Sequence, residues 1–171
     1  MLLPFRRTFL RRLPHMLELF AKSPFPFRGA TKSTAVPIPV EDDDVSSLSG
    51  ILLNDDYYDL LRSSRQTVDG ICVPPPEALL LLKAKAWLNL TECKASGGFV
   101  KDRDLRKHRT DILRLQALAL DDASLAMTPA LHEDAAAFLK VYERMPLDPS
   151  QLGVPGTFSD AMAKIRRLFG I

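Results

Sequence analysis

The segment of residues 74–98 constrains the fold more than any other part of the chain. It reads PPPEALLLLKAKAWLNLTECKASGG, with three prolines at one end and two glycines at the other. Proline ends a preceding strand but fits the first turn of a helix, and glycine favours the residues just past a helix C-terminus. The sequence therefore predicts a helix from Pro76 to about Ala95 that stops at Gly97–Gly98.

Apolar patterns divide the chain into a part with strands followed by a helical part. Strands are predicted over residues 15–20, 45–53 and 66–73. Helices are predicted over residues 54–64, 102–120, 129–145 and 157–170. We expect an α+β fold with three regions: a mixed α/β core over 1–73, a helical domain over 74–145, and a linker with a C-terminal amphipathic helix over 146–171.

Two local patterns refine the α/β part. Residues 35–40, AVPIPV, are expected to be extended, because each proline pushes the preceding residue toward the β region. The same prolines remove backbone donors and make a central position in a sheet unfavourable. The helix over 54–64 should be capped by Asn54 or Asp55, whose side chains accept hydrogen bonds from the first helical turn.

The bulk composition allows one sizeable core and leaves several classes of partner open. The chain has 171 residues, 46% of them hydrophobic, and 23 basic against 21 acidic residues. This balance neither requires nor excludes a nucleic acid, although residues 1–17 carry arginines and no acid. No apolar run approaches the ~20 residues that span a bilayer, so no membrane span is expected. Cys72 and Cys93 have neither metal-type nor disulfide-framework spacing, which favours a cytoplasmic protein.

Two lysines interrupt the apolar helix that follows the prolines. Leu79, Leu80, Ala86 and Trp87 surround Lys83 at helical spacing, and leucines surround Lys85 in the same way. A buried ammonium needs a carboxylate, a phosphate or a path to solvent, because burying it unpaired is unfavourable. Spacing alone does not choose between the two lysines, and either could keep its stem on the core while its amine reaches water.

A charged helix follows, with the sequence KDRDLRKHRTDILRL over residues 101–115. Asp104, Lys107, His108 and Asp111 form one stripe at spacings of three and four. The glycine break between the two helices predicts antiparallel packing, which would bring Asp104 or Asp111 opposite Lys83 with His108 between them. Alternatively, the stripe is a solvated face. A single histidine does not make a metal site.

Two acidic features precede the helical part. Glu18 stands between two leucines in a predicted strand, so it projects to the opposite face of the sheet from its neighbours. It could serve a site there or simply face water. The run EDDD at residues 41–44 could bind a divalent cation, since clustered carboxylates suit hard ions, or it could be a solvated turn.

Three segments together resemble bacterial nucleotidyltransferase-like proteins of the AbiEii toxin type. They are VSSLSGILLNDDYYDLL, VDGICVPPPEALLLLKAKAWLNLT and KDRDLRKHRTDILRL. The resemblance extends over most of residues 15–145. It implies a partial nucleotidyltransferase-type mixed sheet followed by a helical bundle. The implied cofactors are Mg²⁺ and a nucleoside triphosphate, and the implied activity is transfer of a nucleotide to a hydroxyl acceptor such as RNA.

The resemblance also assigns roles to particular residues. Glu18 corresponds to the third-strand acid, with a catalytic and metal-binding role. Lys83 corresponds to a lysine near the triphosphate or the helical acids, which favours Lys83 over Lys85. Asp104, Lys107 and Asp111 match the polar helix that follows, and they are assigned with Lys83 to nucleotide binding.

One departure from the family pattern sets the expected activity. Family members place a Gly-Gly or Gly-Ser turn and an Asp-x-Asp strand before the segment that matches HMLELF, and residues 1–14 contain neither. We therefore expect an N-terminally shortened member with impaired transfer, since two-metal chemistry needs paired ligands. The alternatives are a non-catalytic module that binds a cognate antitoxin or RNA, and a remnant without activity. An exposed sheet edge would favour self-association.

Overall fold

The computed structural model describes residues 16–22, 35–37 and 47–171, and they form an α+β protein that is mostly helical. The chain divides into two compact units, one ending at Tyr58 and one comprising Asp59–Ile171. The second is called the helical unit below. None of the helices in the described part is both long enough and apolar enough to cross a membrane.

The first unit contains a three-stranded mixed sheet. Its strands are β1 (Met16–Lys22), β2 (Ala35–Pro37) and β3 (Ser47–Leu53), in the order β1–β3–β2. Strand β1 runs parallel to β3, and β2 runs antiparallel to it. The strands predicted over 15–20 and 45–53 are confirmed. The proline-containing β2 lies at the edge of the described strands, where a missing backbone donor disrupts no second ladder.

Helix α1 (Asp55–Ser64) begins directly after β3. Of the two candidate caps, Asn54 performs the role, because its Oδ1 accepts a hydrogen bond from the backbone N–H of Tyr57 at 3.0 Å. Asp55 instead occupies the first turn, where a carboxylate interacts favourably with the positive end of the helix dipole.

The prediction of one strand over residues 66–73 is wrong. The segment forms a hairpin of β4 (Gln66–Val68) and β5 (Ile71–Val73), paired antiparallel. Asp69 and Gly70 connect the strands with φ angles of 50° and 79°. Two consecutive left-handed residues match the twist of a hairpin, and Asp-Gly is a preferred pair for that turn. The Asp-Gly turn separates two short apolar runs, and its backbone preference outweighs the alternation that predicts one strand.

Four longer helices build the helical unit. They are α2 (Pro76–Ala95), α3 (Asp102–Leu118), α4 (Pro129–Tyr142) and α5 (Phe158–Phe169), with a 3₁₀ turn at Pro149–Leu152 before the last. The predicted helices are confirmed, with small differences at three C-termini. Helix α2 packs against α3 and α4, and α3 also contacts α5. Trp87 of α2 lies edge-on to Phe138 and Tyr142 of α4, with ring centroids 6.0 and 5.1 Å away.

The glycine pair at the end of α2 forms a Schellman motif. The Gly98 N–H donates to the Cys93 carbonyl at 2.8 Å, and the Gly97 N–H donates to the Lys94 carbonyl at 3.1 Å. Gly97 adopts a left-handed φ of 85°. These bonds satisfy carbonyls that the helix itself leaves unpaired, and they reverse the chain within a few residues. The reversal starts α3 alongside α2.

Gly98→Ala should lower the free energy of unfolding by about 1–3 kcal/mol, the range of overpacking in a tight site. A Cβ at this position would lie 2.4 Å from the Cys93 Sγ and 2.8 Å from the Cys93 carbonyl oxygen. Urea unfolding followed by circular dichroism measures the change. Gly70→Ala is the steric control, because a Cβ there meets no atom within 4 Å, although its left-handed φ still carries a penalty. A Gly98→Ala variant as stable as the parent chain would contradict the prediction.

Candidate functional site

The polar contact at the centre of the predicted site joins α2 to α3. The Lys83 Nζ lies 3.3 Å from the Asp111 Oδ2, and each side chain is 25% exposed. Nearer the glycine turn, Lys94 and Asp102 form a second ion pair between the same two helices. From Lys83 to Lys94 the residue number on α2 increases, while that of the partner on α3 decreases from Asp111 to Asp102. This order confirms that α2 and α3 pack antiparallel. The predicted pairing of Lys83 is confirmed with Asp111, the second of its two candidate acids.

Lys85 has an acidic partner of its own. Its Nζ donates to the Asp134 Oδ1 at 2.5 Å, so this lysine ties α2 to α4. Its side chain is 29% exposed, much like that of Lys83. Both lysines of the apolar helix are therefore paired, one to each covering helix. No part of the sequence analysis singled out Asp134.

His108 lies beside the Lys83–Asp111 pair on α3. Its Nδ1 is buried and has no hydrogen-bond partner among the described residues. Burial lowers the pKa of His108 below its usual value, and the positive charge of Lys83 lowers it further, while Asp111 acts in the opposite direction. The imidazole is therefore neutral at pH 7, with a ring nitrogen unused.

Asp104 and Lys107 complete the group, and both are exposed. They stand close enough to His108 for their charges to act on its pKa, Lys107 lowering it and Asp104 raising it. The name Lys83 cluster is used below for Lys83, Asp104, Lys107, His108 and Asp111. With His108 neutral, the cluster holds two cations and two carboxylates. Lys107 forms no ion pair with a described residue, so its ammonium is available to a ligand.

Arg109, the next residue on α3, has a structural role that the sequence did not indicate. Its Nη2 donates to the carbonyl oxygens of Met145 and Pro146, just past the end of α4. The Tyr142 hydroxyl in turn donates to the Arg109 carbonyl at 2.9 Å. Burial raises the pKa of that phenol, so Tyr142 remains a neutral donor. These bonds fasten the end of α4 to α3, and carbonyl partners leave no pattern in a sequence.

The predicted acidic sites fall mostly outside the described part. Glu18 lies in β1 opposite Ser49 of β3, but its side chain is outside the described region. Residues 41–44 and the arginines of residues 1–15 are outside it as well. Among the side chains that are described, no three metal-ligating residues come together. The Mg²⁺ implied by the resemblance therefore finds no ligand set among them.

Comparison of the chain with family models, with curated proteins and with solved structures gave no match. The resemblance to nucleotidyltransferases thus stays a prediction from the quoted segments. What the Lys83 cluster can bind therefore follows from its own charges and contacts.

A double-mutant cycle on Lys83→Met and Asp111→Leu should give a coupling energy of about 1–2 kcal/mol, between the values for exposed and buried ion pairs. The Lys94–Asp102 pair is the matched control, because it joins the same helices with side chains 51% and 67% exposed. We expect its coupling to stay below about 0.5 kcal/mol. Urea unfolding of each variant measures both values, and equal couplings would show that partial burial does not strengthen the Lys83 pair.

The depressed pKa of His108 predicts a loss of stability in mild acid. The unfolded chain takes up the histidine proton near pH ~6.5, while the folded chain resists it to a lower pH. The unfolded state therefore binds more protons in that window, and the free energy of unfolding falls as the pH drops through it. Measured between about pH 7.5 and about pH 5.5, His108→Gln should reduce this fall. An unchanged pH dependence would refute the role of His108.

Proposed function

We propose that the chain is a nucleotidyltransferase-like protein whose helical unit contacts the phosphates of a nucleoside triphosphate at the Lys83 cluster. The joint pattern of residues 68–91 and 101–115 supports this proposal, together with the pairing of Lys83 and Asp111 across α2 and α3. The family activity would be Mg²⁺-dependent transfer of the nucleotide to a hydroxyl acceptor such as RNA, in the cytoplasm. Glu18 would be the acid that the strands contribute.

The held position of Lys83 is the observation that carries the proposal. A lysine that only needs solvation can extend its flexible stem into water. Lys83 instead ends on Asp111 at 3.3 Å, half-buried between two helices. An ammonium fixed in this way is a point charge whose position is set before a phosphate arrives, and less side-chain entropy is lost on binding.

Lys107 adds the accessible part of the site. It is exposed, and it lies on α3 one turn before Asp111. A phosphate oxygen could therefore reach Lys107 without first displacing a protein carboxylate. The cluster has no net charge, so it cannot by itself neutralise a bound triphosphate. In the family, Mg²⁺ bound with the triphosphate neutralises part of its negative charge. No three metal-ligating side chains come together among the described residues, so the role assigned to the cluster is phosphate contact.

Isothermal titration of the full chain with ATP, GTP, CTP and UTP, each with Mg²⁺, tests the proposal. Lys107→Met should weaken nucleotide binding about tenfold, the effect of losing one hydrogen bond to a charged group. The double variant Lys83→Met with Asp111→Leu should weaken it at least as much, without leaving either partner unpaired. Lys140→Met removes an exposed lysine from α4 as the matched control and should bind like the parent chain.

Two results would refute the nucleotide proposal. One is a parent chain that binds none of the four nucleotides, and the other is an equal loss of binding in Lys107→Met and Lys140→Met. A folded chain without nucleotide binding would favour the alternative, a non-catalytic module for a toxin–antitoxin type of partner. Leu118 and Leu120 favour that alternative, because they are 68% and 72% exposed at the end of α3.

A further inference from the structure

A cleft with both apolar and charged walls lies between the C-terminal half of α3 and the start and middle of α5. It has a volume of about 230 Å³. Gln116 and Ala117 line it from α3, and Lys164 and Arg167 line it from α5. The volume equals that of roughly eight water molecules at ~30 Å³ each, and it falls below the range of ~300–1,000 Å³ for drug-sized ligands. The cleft therefore suits a small ion or metabolite better than a drug-sized ligand.

Gln116 contributes a buried polar side chain to this cleft. It is only 4% exposed, and it is the one polar or charged residue in the buried set of the described chain. Its amide forms no hydrogen bond with a described residue, although it lines the cleft. Buried amides are normally hydrogen-bonded, because an unpaired one loses the bonds it had to water. The Gln116 amide is not among the described polar atoms that are fully buried without a partner, so it opens to the cleft and can bond to what occupies it.

The charged residues of the cleft differ in how far they are already engaged. The Lys164 Nζ donates to the Ala119 carbonyl at 2.7 Å and contacts the Asp121 Oδ1 at 2.8 Å. Asp160 accepts from the Thr157 backbone N–H at 2.8 Å and from the Thr157 hydroxyl at 2.7 Å. Arg167 forms no ion pair with a described residue. Its charge does act on the nearby Asp121 and helps to lower the pKa of that carboxyl, but its guanidinium makes no direct ion pair there.

We propose that this cleft binds a small molecule through an oxyanion, either a carboxylate or a phosphate. The planar guanidinium of Arg167 can hold two oxygens of such a group, which a lysine ammonium cannot do. The Gln116 amide supplies a neutral donor from the opposite wall, and Lys164 adds positive potential. This site is separate from the Lys83 cluster, and it does not depend on the proposed function.

Nuclear magnetic resonance of the ¹⁵N-labelled full chain tests the proposal at the residues themselves. Inorganic phosphate, and separately acetate, are titrated against potassium chloride of equal ionic strength. The Gln116 side-chain amide and the Arg167 Nε–H signals should shift and saturate with at least one of the two anions. Saturation with phosphate alone assigns a phosphate group, with acetate alone a carboxylate, and with both a general oxyanion site.

Variants separate the site from general attraction of anions. Arg167→Gln should weaken the saturating response at least about tenfold, and Gln116→Met, which keeps the buried volume, should also weaken it. Arg114→Gln removes an exposed arginine of α3 outside the cleft and should leave the response unchanged. Lys107→Met, which belongs to the nucleotide proposal, should also leave it unchanged.

Three outcomes would overturn the oxyanion site. They are shifts no larger than those caused by chloride, shifts that do not saturate, and an equal loss of response in Arg167→Gln and Arg114→Gln. Any of them would mean that water alone satisfies the Gln116 amide.

Discussion

Helix α2 needs cover on about half of its circumference, and the helical unit is organised by supplying it. Its buried side chains are Ala78, Leu80, Leu81, Ala84, Trp87 and Leu88. At about 3.6 residues per turn these residues span about half of the helix circumference, so one neighbouring helix would leave apolar surface in water. Helices α3 and α4 both pack on α2, and α5 packs on α3. Lys83 and Lys85 are therefore flanked by helices, and each of these helices provides a carboxylate to one of them.

Burial does not distinguish Lys83 from Lys85, the two lysines on the apolar part of α2. Lys83 and Lys85 are similarly exposed, and each ends on one aspartate from a covering helix. Their surroundings differ, because the Lys83 pair also has His108, Asp104 and Lys107 nearby. A structural ion pair is sufficient to explain Lys85, whereas the additional polar groups around Lys83 are more than packing requires. This difference is the physical reason to test Lys83 first.

Local sequence rules predicted most helices and strands of this fold. They did not predict contacts between residues that lie far apart in the sequence. The ends of α2 followed from prolines and glycines, and the pairing of Lys83 followed from the short turn to α3. Asp134 was not predicted, because it lies 49 residues from Lys85 and its position depends on how α4 packs. The hairpin around Asp69 is a local feature, because its Asp-Gly turn lies in the sequence itself. The position of Gln116 beside a cleft could not be predicted either, because the cleft forms only where α5 packs against α3.

The aromatic contact between α2 and α4 also makes the helical unit spectroscopically simple. The chain has one tryptophan, and Trp87 is 1% exposed. Its indole lies against Phe138 and Tyr142, so its fluorescence emission is that of a ring shielded from water. A red shift would signal that α2 and α4 have separated, without any added label. Because Trp87 belongs to the second unit, this optical signal follows that unit by itself.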